Sequence, residues 1–302
     1  MFNLKGKLNY RPVIRVLIIC LALNILAIVY FSLFGFSDNE IAPQLEQLKV
    51  SFLDIGQGDA VLITLPDKRN ILVDGGPDKN VIYKLDKYLP RQNRTIDLMI
   101  LTHPDPDHLN GLVEALKRFS VSKIFYTGVS DPDPVYYEWQ EIIKNKNIPL
   151  LVIDRAEEIK LDEKIFLVFL WPRESLSGKS LKDDNIGSLV FKLNFENISF
   201  LFTGDINKEV EEKLLNKEAD LRADVLKIAH HGSKHSSTVK FLEKVKPSYA
   251  VISVGKNNKF GHPNLRVIFN LNKVHSQILR TDKNGDIIFT TDGKELNYKI
   301  SK

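Results

Sequence analysis

From about residue 48 onward, short apolar or β-branched runs alternate with amphipathic stretches, and Gly, Asp and Pro lie between them. The first kind of run predicts strands with tight turns, and apolar residues at helical spacing predict helices. The predicted strands cover 50–55, 60–65, 70–76, 97–103, 123–128, 149–154, 163–172, 187–195, 198–205, 224–230, 249–255, 277–281 and 286–290. The predicted helices cover 81–89, 110–119, 135–145, 208–217, 238–245 and 263–273. This order indicates two sheets packed face to face with helices outside, in one α/β domain at 48–302.

The N-terminal region departs from this alternation. Residues 16–36 contain no charged side chain, four basic residues precede them, and the first acid is Asp38. About 20 apolar residues cross a bilayer and basic flanks stay in the cytoplasm, so we expect one transmembrane helix with the domain beyond it. The chain would then begin with a cytoplasmic basic segment (1–15), a transmembrane signal anchor (16–36) and a tether (37–47).

A buried core helix and a cleaved signal peptide are the two alternatives for residues 16–36. A core helix normally shows a polar face, which this segment lacks. A signal peptide normally ends in a small-x-small cleavage site, and none is clear after the apolar run. We therefore expect a membrane-anchored protein whose domain lies outside the cytoplasm, or a secreted protein if the anchor is cleaved.

Composition adds two exclusions. Lys and Arg number 42 and Asp and Glu 38, a formal net charge of +4, and part of the basic excess lies before residue 16. The domain itself is nearly neutral and shows no broad basic face for nonspecific nucleic-acid binding. The single cysteine, Cys20, excludes an internal disulfide framework and a cysteine-rich zinc site.

Histidine and aspartate are concentrated in LTHPDPDHLNG, which follows one predicted strand and precedes a helix. The segment contains His103, Asp105, Asp107 and His108. Imidazole and carboxylate are ligands for zinc, manganese or iron, and a loop at a strand end can direct several of them to one point. An aspartate N-cap is the structural alternative, but a cap requires only one acid. We therefore predict a metal site in this loop.

Later strands end in further candidates. Asp205 ends the strand at 198–205, where its carboxylate could bridge two metal ions or form an ordinary Gly-Asp turn. His230 and His231 end the strand at 224–230, and adjacent strand residues face opposite sides. One of them could therefore be a ligand while the other faces substrate or a supporting acid. His262, in FGHPN, is a weaker candidate because a loop histidine is often simply packed.

Eight segments between about Val50 and Thr290 occur in a recognisable order: FLDIGQGDA, ILVDGGP, LTHPDPDHLNG, DDNIGSLV, LFTGDI, KIAHHGSKHSS, FGHPN and LRTDKNGDI. Together they resemble the metallo-β-lactamase superfamily and, within it, the hydrolase domain of ComEC-type competence proteins. The resemblance implies a four-layer αββα sandwich with a site for two divalent metal ions on one edge. Asp105 stands where the superfamily usually has a second histidine, and this harder oxygen ligand makes manganese plausible beside zinc.

Carried over by position, the resemblance implies roles for individual residues. One metal ion would be held by His103 and Asp105 and the other by Asp107 and His108, with Asp205 as the bridge and His230, or alternatively His231, completing the second site. Asp74 would support the ligands from behind, and Asp54 would hold nearby loops. The superfamily's separate histidine before the bridging aspartate is absent, and Asp184 or Asn185 could substitute for it.

The expected chemistry is hydrolysis of a phosphodiester, because a metal pair activates water and offsets charge on phosphoryl oxygens. Asp107 with Asp105 would orient the water, and His262 or His231 would protonate the leaving group. The nonbridging oxygens would be bound by Gly232, Ser233, Ser236 and Ser237. Serines at this place could equally cap the helix at 238–245.

The resulting hypothesis is an extracytoplasmic, membrane-anchored, metal-dependent hydrolase that acts as a phosphodiesterase or nuclease. The competence resemblance favours DNA as the substrate, while a cell-wall phosphodiester or a small ester stays open. The alternative is a non-catalytic, metal-bound binding module that partners membrane DNA-uptake machinery.

Overall fold

The computed structural model describes residue 15, residues 19–26, and residues 47–302 except 91, 93 and 218. Residues 46–302 form one compact unit. The predicted basic segment (1–15), transmembrane segment (16–36) and tether (37–47) lie almost entirely outside the described residues, of which 19–26 are helical. No helix among the described residues is both long enough and apolar enough to cross a membrane.

The compact unit consists of strands, helices and short 3₁₀ turns. The strands are β1 (Leu48–Phe52), β2 (Val61–Thr64), β3 (Asn70–Val73), β4 (Thr95–Ile96), β5 (Leu98–Ile100), β6 (Ser120–Val121), β7 (Ile124–Tyr126), β8 (Leu150–Val152), β9 (Glu157–Lys160), β10 (Ile165–Trp171), β11 (Val190–Phe195), β12 (Ile198–Phe202), β13 (Val225–Lys227), β14 (Tyr249–Ile252), β15 (Gln277–Arg280), β16 (Ile287–Thr291) and β17 (Leu296–Ile300). The helices are α1 (Asn80–Tyr88), α2 (Pro106–Arg118), α3 (Pro134–Asn145), α4 (Lys208–Asn216), α5 (Val239–Val245), α6 (Leu265–Lys273) and α7 (Thr281–Asn284), and the 3₁₀ turns are Asp184–Gly187 and Ala229–Gly232.

Both large sheets are mixed. The eight-stranded sheet has the order β17-β16-β1-β2-β3-β5-β7-β8, with parallel pairing from β3 to β8. The seven-stranded sheet has the order β15-β14-β13-β12-β11-β10-β9, with parallel pairing from β12 to β15. The parallel strands are short and apolar, as expected where both faces of a sheet are covered. Loops that follow the carboxyl ends of such strands are the usual place for a site in α/β sheets.

Three apolar clusters place these elements in four layers. One cluster lies between the sheets, where the rings of Phe52 and Phe202 stack with centroids 6.1 Å apart. A second cluster packs α1, α2 and α3 on the eight-stranded sheet, and a third packs α4, α5 and α6 on the seven-stranded sheet. The order of layers is helices, sheet, sheet, helices, which is the αββα arrangement that the motifs led us to expect.

The structure differs from the sequence prediction at sheet edges and at one strand end. Strands β9 and β17 were not predicted, because polar or charged side chains interrupt their apolar pattern, as is common in edge strands. The strand predicted at 224–230 ends earlier, at Lys227. His230 and His231 instead lie in a turn with φ values of 50° and 52°, so the rule of alternating faces does not apply to them.

A close backbone contact fixes the loop after β3 against α2. A Cβ added to Gly111 would lie 1.8 Å from the carbonyl oxygen of Gly75, so a larger residue does not fit there. The contact lets the Gly75 amide donate to the carbonyl of His108 at 2.7 Å. Asp74 is thereby held beside the first turn of α2.

Candidate metal centre

The loop between β5 and α2, together with the first turn of α2, contains four of the predicted ligands. Helix α2 begins at Pro106, directly after Asp105, so Asp107 and His108 lie in its first turn while His103 precedes it. The rings of His103 and His108 are both buried, with centroids 4.1 Å apart. Asp105 and Asp107 are partly exposed beside them. The tight strand-to-helix turn therefore gathers two imidazoles and two carboxylates at one place.

Asp74, at the end of β3, fixes both of these imidazoles through their Nδ1 atoms. One Asp74 oxygen, Oδ2, accepts from Nδ1 of His108 at 2.9 Å. The same oxygen accepts from the hydroxyl of Thr102 at 2.7 Å, and that hydroxyl oxygen can then only accept from Nδ1 of His103, at 3.0 Å. Because both Nδ1 atoms act as donors, Nε2 is in each case the nitrogen left to bind a proton or a metal ion.

Asp205 and His231 approach the same place from the second sheet. Asp205 follows β12, is buried, and its amide donates to the hydroxyl of Ser188 at 3.0 Å. His231 is also buried, and its Nδ1 donates to the carbonyl of Ser253 at 2.9 Å. The Nε2 atom of His231 is consequently left to bind a proton or a metal ion, like those of His103 and His108.

The three Nε2 atoms converge on a small space lined by carboxylates. Nε2 of His108 lies 3.4 Å from Asp205, and Nε2 of His231 lies 3.2 Å from oxygens of both Asp205 and Asp107. None of the three Nε2 atoms has a hydrogen-bond partner among the described residues. Buried nitrogens in this state are costly unless something binds them. Imidazole nitrogen with carboxylate oxygen is a donor set of zinc and manganese, so these residues fit divalent metal ions.

Asp205 has the position expected of a bridging carboxylate. Its oxygens lie within 4.8 Å of the ligand atoms of His103 and His108 in one potential metal-binding group. A second potential group joins Asp205 to His231 and Asp59 within the same limit. Asp205 thus belongs to two groups of donors.

The charges in the cluster compensate one another. Burial alone would lower the pKa of His108 and of His231, but the charge of Asp205 and of other nearby carboxylates raises both well above the usual range. Burial would likewise raise the pKa of Asp205, but His231 and His108 hold it well below its usual range. Burial is also outweighed at Asp107, where His231 and His108 lower the pKa. The carboxylates are therefore ionised at neutral pH, and His108 and His231 are protonated when no metal ion is bound. A divalent ion at Nε2 would take the place of that proton.

Two buried residues of the centre were not predicted, Asp59 and Lys227. Their side chains form an ion pair, and Lys227 Nζ also donates to the carbonyl of Gly204 at 3.1 Å and lies 3.4 Å from Asp205. Asp59 Oδ1 lies 3.4 Å from His231 Nδ1. The sequence does contain one indication of this pair. Lys227 lies inside the apolar run VLKIA, and a lysine buried there needs a charged partner because buried lysine is rare without one.

His230 and His262 occupy the margin of the centre. The sequence favoured His230 as a ligand, but His231 is the residue whose Nε2 points into the cluster. The His230 amide donates to Asp205 at 3.2 Å, while its ring lies 5.6 Å from that of His262. Burial and the two neighbouring histidines lower the pKa of His262 to about 4, which leaves it neutral at neutral pH and does not favour the predicted proton donation.

The predicted phosphate-binding serines are all buried, and one of them donates its hydroxyl to internal hydrogen bonds. Ser236 is fully buried, and its hydroxyl donates to the carbonyls of Ala229 and Ser233. Ser237 is also buried, and its amide donates to Glu211. Ser233 is buried as well. Gly232 lies close against Pro263, since a Cβ added at Gly232 would be 2.6 Å from the Pro263 side chain. The helix cap is Thr238 rather than a serine. Ser236 therefore helps to close the turn, and substrate binding by the cluster stays a prediction.

Of three other predicted residues, Asp184 and Asn185 lie at the margin of the centre, and Asp54 lies away from it. Asp184 and Asn185 lie in the 3₁₀ turn before β11, and each has a buried Oδ1 without a hydrogen-bond partner. Burial, together with Asp131 and Asp105, raises the pKa of Asp184 to about 7. Asp54 instead pairs with Lys302 at 2.7 Å, so it fastens the C-terminus rather than the metal centre.

This fold and this cluster define a class of protein. Residues 53–256 match the Metallo-beta-lactamase superfamily, and the chain belongs to that superfamily, whose members are generally metal-dependent hydrolases. Its relatives include the ComE operon protein 3 of Bacillus subtilis, at 28% identity over 258 residues that cover 79% of this chain and 32% of that protein. They also include the competence protein ComA of Neisseria gonorrhoeae, at 31% identity over 256 residues that cover 83% of this chain and 33% of that protein.

The chain spans about a third of the length of these curated relatives. Among solved structures, the diiron β-hydroxylase CmlA from Streptomyces venezuelae is similar with a TM-score of 0.51 and 14% identity. That similarity covers 83% of this chain and 57% of the CmlA chain. At this level of identity it shows a shared fold.

Proposed function

We propose that this chain is a metal-dependent phosphodiester hydrolase that acts on nucleic acid. The observation that supports it most is the convergence of three buried, unpartnered imidazole nitrogens with ionised carboxylates at one edge of the fold. The superfamily supports hydrolysis, and the names of the competence relatives support DNA as the substrate.

The proposed ligands are His103, Asp105, Asp107, His108, Asp205 and His231. Two divalent ions, zinc or manganese, would neutralise phosphoryl charge and lower the pKa of an attacking water. Asp107 is ionised and its side chain is 30% exposed, so it can orient that water and accept its proton at the mouth of the site. Asp74 keeps the imidazoles oriented, and Lys227 offsets the negative charge behind them.

The test combines metal analysis with a hydrolysis assay on the full chain. With zinc or manganese, we expect two bound equivalents and hydrolysis of DNA and of bis-p-nitrophenyl phosphate. Asp205→Asn should lose most of the metal and at least about 100-fold in activity, because removing a donor that belongs to both groups weakens both. Asp54→Asn is the matched control and should behave as wild type. Metal binding without turnover would contradict the proposed hydrolase activity and favour the non-catalytic binding module.

We also propose that the domain lies outside the cytoplasm. The support is the uncharged segment 16–36 behind its basic flank. A reporter fused after Lys302 should show that the C-terminus of the domain lies in the periplasm or outside the cell. Cytoplasmic reporter activity would contradict this topology.

A further inference from the structure

An exposed aromatic ring lies beside the metal centre, on the loop that follows β14. Phe260 is 56% exposed, and its ring stacks on that of His262 with centroids 5.7 Å apart and planes 23° apart. His262 contacts the ring of His230, whose amide donates to Asp205. The His230 ring also lies 6.1 Å from that of His231, so a series of rings leads from His231 in the centre to solvent.

The side chain of Asn258, which is partly buried, holds the loop together. Its Oδ1 accepts from the amides of Phe260 at 3.2 Å and His262 at 3.0 Å. Its Nδ2 donates to the carbonyls of Gly255 at 3.1 Å and His262 at 2.7 Å. These four hydrogen bonds tie the backbone on both sides of Phe260, so the point at which its side chain leaves the loop is fixed.

The surroundings of Phe260 suit a polyanion. Lys259 places Nζ 5.3 Å from the centre of the Phe260 ring, and Lys256 is exposed on the same loop. No Asp or Glu occurs between Glu243 and Asp282. The nearly neutral domain thus has a locally basic segment around an exposed flat ring, and this combination is typical of surfaces that bind single-stranded nucleic acid.

We propose that Phe260 is a substrate-binding residue on which a base next to the scissile phosphodiester of single-stranded nucleic acid stacks. This inference rests on the proposed phosphodiester hydrolysis and specifies its substrate. Bases in a duplex are already paired and stacked on one another, so an exposed phenyl ring can engage only unpaired ones. The enzyme should therefore prefer single strands to duplex.

The first test is a kinetic comparison on the full chain with manganese. Phe260→Ala should raise KM for a single-stranded oligonucleotide at least about fivefold, the low end of the loss for one stacked base, and leave kcat unchanged. Phe260→Trp should keep the wild-type KM. An abasic oligonucleotide of the same length should show no difference between wild type and Phe260→Ala.

A matched control and a metal analysis separate stacking from general damage. Phe269, on α6, is 69% exposed, and Phe269→Ala should keep the wild-type KM if the position of the ring matters rather than exposure alone. Phe260→Ala should also retain the wild-type metal content. A KM for Phe260→Ala equal to that of wild type would overturn the inference while leaving the hydrolase intact.

The second test does not depend on turnover. A single-stranded oligonucleotide that contains 2-aminopurine, bound to the full chain in the presence of chelator, should lose fluorescence through stacking, and Phe260→Ala should restore it. If this quenching depends on Phe260 but no DNA is hydrolysed with metal, the proposed function fails and the base contact stands. Quenching that is identical in both proteins, or no binding by either, overturns the contact.

Discussion

Replacing Lys227 with Met should destabilise the protein strongly, because it leaves buried carboxylates without their lysine partner. The side chains of Lys227 and Asp59 are only 2% and 4% exposed and form an ion pair. Lys227 Nζ also lies 3.4 Å from Asp205. Methionine keeps the length of the side chain but removes its charge, and water cannot reach either carboxylate to compensate.

The expected magnitude follows from burial. Removing one partner of a buried ion pair costs about 3–5 kcal/mol in the free energy of unfolding. In a domain of this size about 1 kcal/mol corresponds to about 2–4 °C, so Tm should fall by about 6–20 °C. Thermal unfolding should be measured with chelator present, because a divalent cation would itself offset the carboxylate charge. Adding zinc or manganese should then recover part of the loss.

Lys192→Met is the matched control. Lys192 is also buried and pairs with Asp220 at 2.8 Å, but the Asp220 side chain is 76% exposed and remains hydrated when its partner is lost. Its replacement should cost at most about 1 kcal/mol. The double variant Asp59→Asn/Lys227→Met should recover about 1–3 kcal/mol relative to the sum of the single losses. Equal losses for the two lysine variants, or no coupling in the double variant, would show that burial of the Asp59–Lys227 pair does not determine the cost.

Three further predictions concern stability and metal ligation. Burial opposes ionisation of Asp286, but partners such as Lys84 lower its pKa from 3.8 to about 2. Asp286→Asn should therefore lose about 2 kcal/mol at pH 6, a difference that fades between pH 4 and 2; a pH-independent loss would contradict this. Gly111→Ala should lower the free energy of unfolding by at least about 1–3 kcal/mol, because the added Cβ would clash with the backbone of Gly75. An unchanged Tm would contradict this. His231→Ala should lose bound metal by elemental analysis while His230→Ala retains it, and the reverse would restore the ligand favoured by sequence.

The layered fold was predictable because most of its strands and helices have local apolar patterns. Runs such as DLMIL and ISFLF are short, apolar and bounded by turn residues, and the structure places strands in both. Strand β9 was not predictable in this way, since its sequence EEIK has almost no apolar pattern. Its strand conformation depends on pairing with β10, which is a tertiary contact.

The metal centre was predictable where its residues are neighbours in sequence. His103, Asp105, Asp107 and His108 share one loop, so their composition alone indicated a site. Asp59 lies far from them in the chain, and nothing local marks its burial against Lys227.

The choice between His230 and His231 depends on backbone geometry that no periodicity reveals. Both residues have positive φ values in a turn, so their side-chain directions do not follow the alternation of a strand. For the serines, composition alone did not reveal a structural use of the side chain. Their composition suggested substrate binding, whereas Ser236 is used to close the turn through the carbonyl of Ala229.

Anomalous diffraction from crystals of the full chain grown with manganese or zinc would locate the bound ions. We expect two metal peaks among the Nε2 atoms of His103, His108 and His231, one on each side of the Asp205 carboxylate. Peaks at other residues, or no peak within this cluster at saturating metal, would contradict this expectation.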